Sequence, residues 1–321
     1  MLKEFFDFSK LGGDYASLLE CVRKAQKCSV CGMGQSEKVI SSFNMTGKVL
    51  YIASDVSIAK NVYELFKCVY PTTTFLLAGS QDDLTYKKSQ SSELNIERIK
   101  TVFALTNNKA DIICTSVDAV MSYLPNKERF INHILKIKVG DILSLDEIKK
   151  RLIDMGYSSE TLISAPGQFS SRGDILDIFP INTVEPFRIE LFDVEVQSIK
   201  TFDAESQNSI KDVTSISVCP FTDLLINEEE IRHIEKDLNV LKQHKFDSRE
   251  SEERYNVIST VLMERLSLKD RGFTLNYLFP LLTNSLGTIF DYINKDFTVV
   301  IDEAKMVYDA ICSFEKEYDE R

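Results

Sequence analysis

Over the first 125 residues, short apolar runs alternate with segments whose apolar residues recur every three or four positions. Asp14 to Lys27 carries Leu18, Leu19, Val22 and Ala25 at helical spacing. Cys28-Ser29-Val30-Cys31 reads as a short buried strand running into Gly32, with Ser36 capping a helix through Val39, Ile40 and Phe43. Lys48 to Ala53, Thr73 to Ala78 and Ala110 to Thr115 are further strands. Ser54-Asp55 opens a helix with Ile58, Val62, Leu65 and Phe66 on one face. Near-continuous apolar strands separated by helices predict a parallel sheet covered on both faces. The polar stretch from Gly79 to Glu93 reads as a long surface loop.

The period changes near residue 132. Ile134 to Val139 alternates like a strand, and Leu143 to Met155 is a helix closed by Gly156. Period-two segments follow at Ile175–Phe179, Phe187–Phe192, Val196–Phe202 and Thr214–Val218, separated by turn residues such as Asn182 and Pro186. Pro220 to Asp223 has the composition of a linker. Helical patterns return from Glu228 to Gln243 and from Asp247 to Leu266, and Phe297–Ile301 is a last strand before Asp302-Glu303 and a helix. The expected architecture is α/β: a parallel-sheet, helicase-like lobe in two pieces, 1–130 and 223–321, with a small α+β domain, 131–222, inserted. The chain stops inside a charged helix without a stop signal, as a piece of a longer polypeptide does.

Composition narrows the class. With 321 residues, 44% of them hydrophobic, the chain can fill a large core. The 38 Lys and Arg against 49 Asp and Glu leave a formal charge of −11, which argues against a protein whose main task is coating nucleic acid. No apolar run approaches the roughly 18 residues of a membrane span. The N-terminus has acids inside its first turn and no apolar core, unlike a secretory signal. Seven scattered cysteines do not form a disulfide framework, so a reducing cytoplasm is the expected compartment.

Candidate chemistry is sparse. Gly32-Met33-Gly34-Gln35-Ser36-Glu37-Lys38-Val39 stands where a phosphate loop would, between a first strand and a helix. Gly32 and Lys38 fit the G-x-x-x-x-G-K-[ST] pattern, but Glu37 replaces the second glycine and Val39 the magnesium-binding hydroxyl. A carboxylate beside the cradle repels phosphate, and valine offers no oxygen to a metal. Neither Asp118, which suits the first turn of a helix, nor Asp302-Glu303 completes a metal pair. Cys28 and Cys31 lack the further ligands of a structural zinc site and read as buried strand cysteines, with a redox CxxC at a strand-to-helix junction as the alternative. No catalytic residue, metal or cofactor is expected.

The segment from Ala165-Pro166-Gly167-Gln168-Phe169-Ser170-Ser171-Arg172-Gly173-Asp174 through Ile175-Leu176-Asp177-Ile178-Phe179-Pro180 is distinctive. It continues in Pro186-Phe187-Arg188-Ile189-Glu190-Leu191-Phe192-Asp193 and closes in Glu205-Ser206-Gln207. It resembles the second domain shared by the excision-repair protein UvrB and the transcription-repair coupling factors, and the rest of the chain follows more loosely. UvrB has an intact phosphate loop and a long Tyr-rich hairpin that grips damaged DNA. Here the loop is degenerate, and Leu77 to Ile96 holds only Tyr86 as an aromatic, so the coupling factors are the nearer relatives.

On Phe187–Phe192, alternation puts Phe187, Ile189 and Leu191 on one face and Arg188, Glu190 and Phe192 on the other. The residues alone allow two readings of the second face. Phe192 is an exposed interface anchor beside Arg188; or Phe192 is covered by a loop and Arg188 pairs with Glu190 or Asp193. The resemblance implies the first, with Arg172, Arg188 and Phe192 matching the positions that contact UvrA. Arg188 would then be free to take a partner carboxylate with two hydrogen bonds. The resemblance also implies that RNA polymerase, DNA and an ATP-driven translocase belong to other parts of such a protein. The competing class is an enzyme, an ATP-dependent DNA helicase or UvrB-like damage binder.

Overall fold

The computed structural model describes residues 14–24, 26–34, 38, 41–42, 47–79, 91–242, 246, 248–267, 281 and 286–320. In chain order the elements begin with α1 (Asp14–Arg23), β1 (Lys48–Ala53), α2 (Val56–Val69), β2 (Thr74–Leu77), α3 (Ser91–Thr106), β3 (Ile112–Ser116), α4 (Val117–Met121) and β4 (Leu124–Pro125). Then come α5 (Lys127–His133), β5 (Leu135–Lys138), α6 (Leu145–Asp154), β6 (Ser158–Ser159), β7 (Gln168–Arg172), β8 (Ile175–Phe179), β9 (Phe187–Phe192), β10 (Glu195–Phe202), β11 (Ser209–Val213) and β12 (Ser215–Val218). Last are α7 (Glu228–Lys242), α8 (Arg249–Ser267), β13 (Leu286–Gly287), α9 (Ile289–Tyr292), β14 (Phe297–Ile301) and α10 (Ala304–Glu320). Two compact units result: one from the described residues of 1–80, 104–122 and 288–321, the other from those of 81–103 and 123–287.

The first unit is the α/β lobe. Its four-stranded sheet is parallel throughout, in the order β14-β1-β3-β2. Leu50, Tyr51 and Ile113 are fully buried at its centre, as strands covered on both faces require. Asp55 caps α2 by accepting from the backbone N–H groups of Ser57 and Ile58. Gly79 follows β2 because nothing larger fits: a Cβ there would fall 1.9 Å from Asp118 Oδ2 in the first turn of α4.

The expected strand at Cys28–Cys31 does not form. Residues 26–31 are irregular and exposed, with Cys28 and Cys31 at the surface and Val30 47% exposed. The reason is topological. The place beside β1 is taken by β14, register Lys48↔Phe297 to Ile52↔Ile301, so a strand from far along the chain closes the sheet.

In the second unit the curved sheet β11-β10-β9-β8-β7-β6 is antiparallel except for the β6–β7 pair. Its inner face packs on α6 and on the β5–β12 pair through Phe169, Leu176, Ile178, Ile189, Leu191, Val196 and Ile199. Gly167 enters β7 at φ +88, and Phe221 lies so close to its backbone that a Cβ would meet the ring at 2.5 Å. Among the strands that escaped the sequence pattern, β7 and β11 are the longest. Gln168–Arg172 is mostly polar, and β11 is an almost wholly exposed edge.

Residues 220–226 are buried, not an exposed linker. Asp223, wholly buried, accepts from Arg98 Nε of α3 at 2.9 Å, and Arg98 is itself wholly buried and also donates to the Tyr123 carbonyl. Losing one partner of such a pair strands a charge in the core. Asp223→Ala should therefore lower the stability of this unit by about 3–5 kcal/mol, read from urea unfolding, whereas Asp154→Ala on the surface helix α6 should change it little.

Candidate functional site

The outer face of the curved sheet is set by register. Arg188 stands opposite Asp177 on β8 and Lys200 on β10; Glu190 stands opposite Ile175 and Ser198; Ile175 stands opposite Arg172 on β7; Phe192 stands opposite Glu195. Because paired residues share a face, Arg172, Arg188 and Phe192 all point away from the core. The first is about 10 Å across two strands from β9, and the other two are about 13 Å apart along it. Alternation alone could not orient Arg172, which precedes the turn glycine Gly173; the β7 register does.

Phe192 is 74% exposed, so no loop covers it. It ends β9 just before Asp193, whose φ of +59 makes the turn into β10. Arg172 is exposed and donates to the Thr161 carbonyl.

Arg188 is neither free nor paired with Glu190 or Asp193. Its Nε donates to Asp177 Oδ1 at 2.9 Å and its Nη2 to Asp177 Oδ2 at 2.8 Å. Nη2 also donates to Gln207 Oε1 at 3.2 Å, and Nη1 to the Gln207 carbonyl at 3.4 Å. The guanidinium lies over the Phe202 ring, 4.4 Å from its centroid. The hydrogen bond with Asp177 holds the guanidinium pKa above its ordinary value. Glu190 instead accepts from Ser198 Oγ and Lys200 Nζ, which lower its carboxyl pKa. Asp177 was legible as an odd residue, a lone acid within Ile-Leu-Asp-Ile-Phe; its partner was not.

The degenerate phosphate loop lies in the other unit. Gly32 adopts φ +81, and the Gly34 carbonyl accepts from the Lys38 N–H at 3.0 Å. Glu37 and Val39 lie outside the described residues. Lys38 Nζ donates to Asp302 Oδ1 at 2.9 Å and to the Glu303 carboxylate, both just past β14. One ammonium thus faces two carboxylates, and the local charge is negative where a polyphosphate would need it positive. The Glu303 bond leads in raising the Lys38 pKa, with Asp302 adding to it. Burial chiefly pushes the nearby Tyr51 phenol well above its ordinary range, and the Asp302 charge adds to it. Among the described residues no group of three or more His, Cys, Asp or Glu is placed to hold a metal, and no helix is long and apolar enough to cross a membrane.

Comparison with known proteins agrees with the geometry of the curved sheet. Residues 135–224 match the family model of the UvrB interaction domain, a range that holds the whole of that sheet together with β5, α6 and β12. The chain carries a UvrB interaction domain. It is also 30% identical over 294 residues to the transcription-repair-coupling factor of a Staphylococcus aureus strain, covering 84% of this chain and 24% of that protein. The Staphylococcus haemolyticus protein of the same name is 30% identical over 250 residues, 75% of this chain and 21% of its own length. The chain therefore spans about a quarter of the curated relatives it matches, and it corresponds to the N-terminal, UvrB-homologous module of the coupling factors.

Lys38→Met leaves Asp302 without its cation and should lower the stability of the α/β lobe by about 1–3 kcal/mol. A group whose pKa is raised on folding stabilises fully below its unfolded pKa, about 10.4 for lysine. The difference between wild type and variant should therefore hold constant up to about pH 10 and shrink above it as Lys38 deprotonates. Urea unfolding across that range checks both statements.

Proposed function

We propose that this chain is a recruitment module of transcription-coupled nucleotide excision repair, and that its inserted domain, 131–222, docks on UvrA through Arg172, Arg188 and Phe192. The observation that carries the reading is Phe192: an aromatic 74% exposed at the end of a strand paired along its length with β10, with Arg172 and Arg188 on the same face of the sheet. Exposing such a ring has no benefit to the folded domain, and an exposed Phe on a face that also carries Arg has the chemistry of an interface anchor. The family model and the coupling-factor relatives support the same partner. RNA polymerase, DNA and an ATP-driven translocase are assigned by the resemblance to other parts of such a protein.

Within this reading the module has no catalytic task of its own. A helicase needs a loop that attracts magnesium-ATP, and here Lys38 is already neutralised by Asp302 and Glu303. Calorimetry should find no saturable binding of magnesium-ATP to the chain. Binding that disappears in Lys38→Ala would restore the enzyme reading.

Phe192→Ala should weaken UvrA binding by about 2 kcal/mol or more, some 30-fold, while the thermal unfolding midpoint stays at the wild-type value. Val184→Ala, in a loop of the same domain, should leave both unchanged. Wild-type affinity in Phe192→Ala would refute the docking face. Arg188→Ala should also lose binding, but it strands the Asp177 carboxylate and so should cost about 1–3 kcal/mol of stability as well.

A further inference from the structure

We infer that Asp177 and Gln207 are positioning residues that hold Arg188 in its docking orientation, and that Arg188 presents a single hydrogen-bond donor to the partner instead of a two-pronged clamp. The inference rests on the docking reading above and specifies how one of its residues works.

Hydrogen-bond bookkeeping on the guanidinium leads there. The group has five N–H donors. Nε gives its one to Asp177 Oδ1; Nη2 gives its two to Asp177 Oδ2 and Gln207 Oε1; Nη1 gives one to the Gln207 carbonyl. Four are spent, and one Nη1 N–H remains for a partner. A bidentate grip on a partner carboxylate would have to displace either Gln207 from the Nη1–Nη2 edge or Asp177 from the Nε–Nη2 edge, and in the second case Asp177, itself nine-tenths buried, would be left unpaired.

Gln207 is built for this contact. It sits at φ +62, a conformation unusual for a residue with a Cβ, in the turn between β10 and β11. Its N–H donates to the Asp203 carbonyl and its Nε2 to the Ala204 carbonyl, so its Oε1 and its own carbonyl are both left facing Arg188. Phe202 supplies the floor beneath the guanidinium. The Glu205-Ser206-Gln207 motif is thereby explained: a turn from outside β9 reaches back to fix a side chain on it.

Two consequences distinguish this arrangement from a free surface arginine. The long side chain loses no rotamer freedom on docking, because the clamp has already ordered it. Its charge is neutralised within the domain by Asp177, so Arg188 contributes direction more than electrostatic attraction. The complementary group on the partner is one acceptor oxygen.

The test is a double-mutant cycle on the full chain, with UvrA affinity measured by calorimetry and folding followed by circular dichroism. Asp177→Asn replaces one carboxylate oxygen with an N–H₂ that opposes the guanidinium donors, and should weaken binding by about tenfold. In the Arg188→Ala background the same change should weaken it less than twofold, because Asp177 then has nothing left to position. Gln207→Asn keeps a residue tolerant of positive φ but withdraws the amide oxygen, and should give a smaller loss, about threefold, that is likewise absent without Arg188. It stands in if Asp177→Asn fails to fold. Wild-type affinity in both variants, or losses that multiply fully with Arg188→Ala, would overturn the positioning role while leaving UvrA docking in place. Failure of the wild-type chain to bind UvrA would instead remove the docking reading and the role of the clamp together.

Discussion

The outer face of the inserted domain depends on one cross-strand pairing, Asp177 opposite Arg188. A shift of one residue between β8 and β9 would turn Arg188 into the core and Ile189 out to solvent, since strand side chains alternate faces. The inner face fixes the register by burying Leu176, Ile178, Ile189 and Leu191 together. The outer face then gains a carboxylate and a guanidinium at matching height, and they pair with both oxygens. From that pair the remaining outer contacts follow: Gln207 and Phe202 complete the guanidinium's surroundings, Glu190 turns to Lys200 and Ser198, and Phe192 at the strand end is left without a neighbour to cover it.

The α/β lobe obeys a different constraint, the ordering of its parallel sheet. Bringing β14 beside β1 places Asp302 and Glu303 at the carboxyl ends of the strands, the edge where sheets of this kind bind ligands. Lys38 reaches the same edge. In a working phosphate loop the lysine is balanced by the nucleotide and the acids by a metal. Here the cation pairs directly with both acids and the local charge stays negative.

Much of this was legible in the residue pattern, and the exceptions have physical causes. β1, β8, β9 and β14 stand where apolar runs or period-two alternation put them, because both signals report burial directly. The core face of Phe187–Phe192 was readable for the same reason. Cys28–Cys31 misled because a four-residue apolar run says nothing about whether a sheet has room beside it. Pro220–Asp223 misled because its one charged residue, Asp223, is held in the interior by a buried arginine from a segment more than a hundred positions earlier. The polarity of β7 hid a strand that sends only one apolar side chain, Phe169, into the core and pairs with β8 along its whole length. The partner of Arg188 was beyond reach for a related cause: two acids nearby in sequence competed for it, and the winner lay on another strand.

Arg188 and Lys38 are both cations bound by carboxylates of their own chain, yet the consequences diverge. Lys38 has three rotatable donors on a flexible stem, and two acids surround it; nothing about its bonding leaves a direction in which a ligand would be preferred. Arg188 is planar, and a single carboxylate occupies one edge of it while Gln207 takes part of the other. The fixed fork geometry means that its remaining donor has a defined heading. The same kind of pairing therefore leaves the ammonium with no preferred heading and the guanidinium with one. In the proposed docking, Phe192 on the same strand would give that orientation a use, because a ring seated in an apolar pocket would fix the distance at which the remaining N–H must find its acceptor. The two interactions limit each other's freedom, which is how a small face with little net charge can still discriminate between partners.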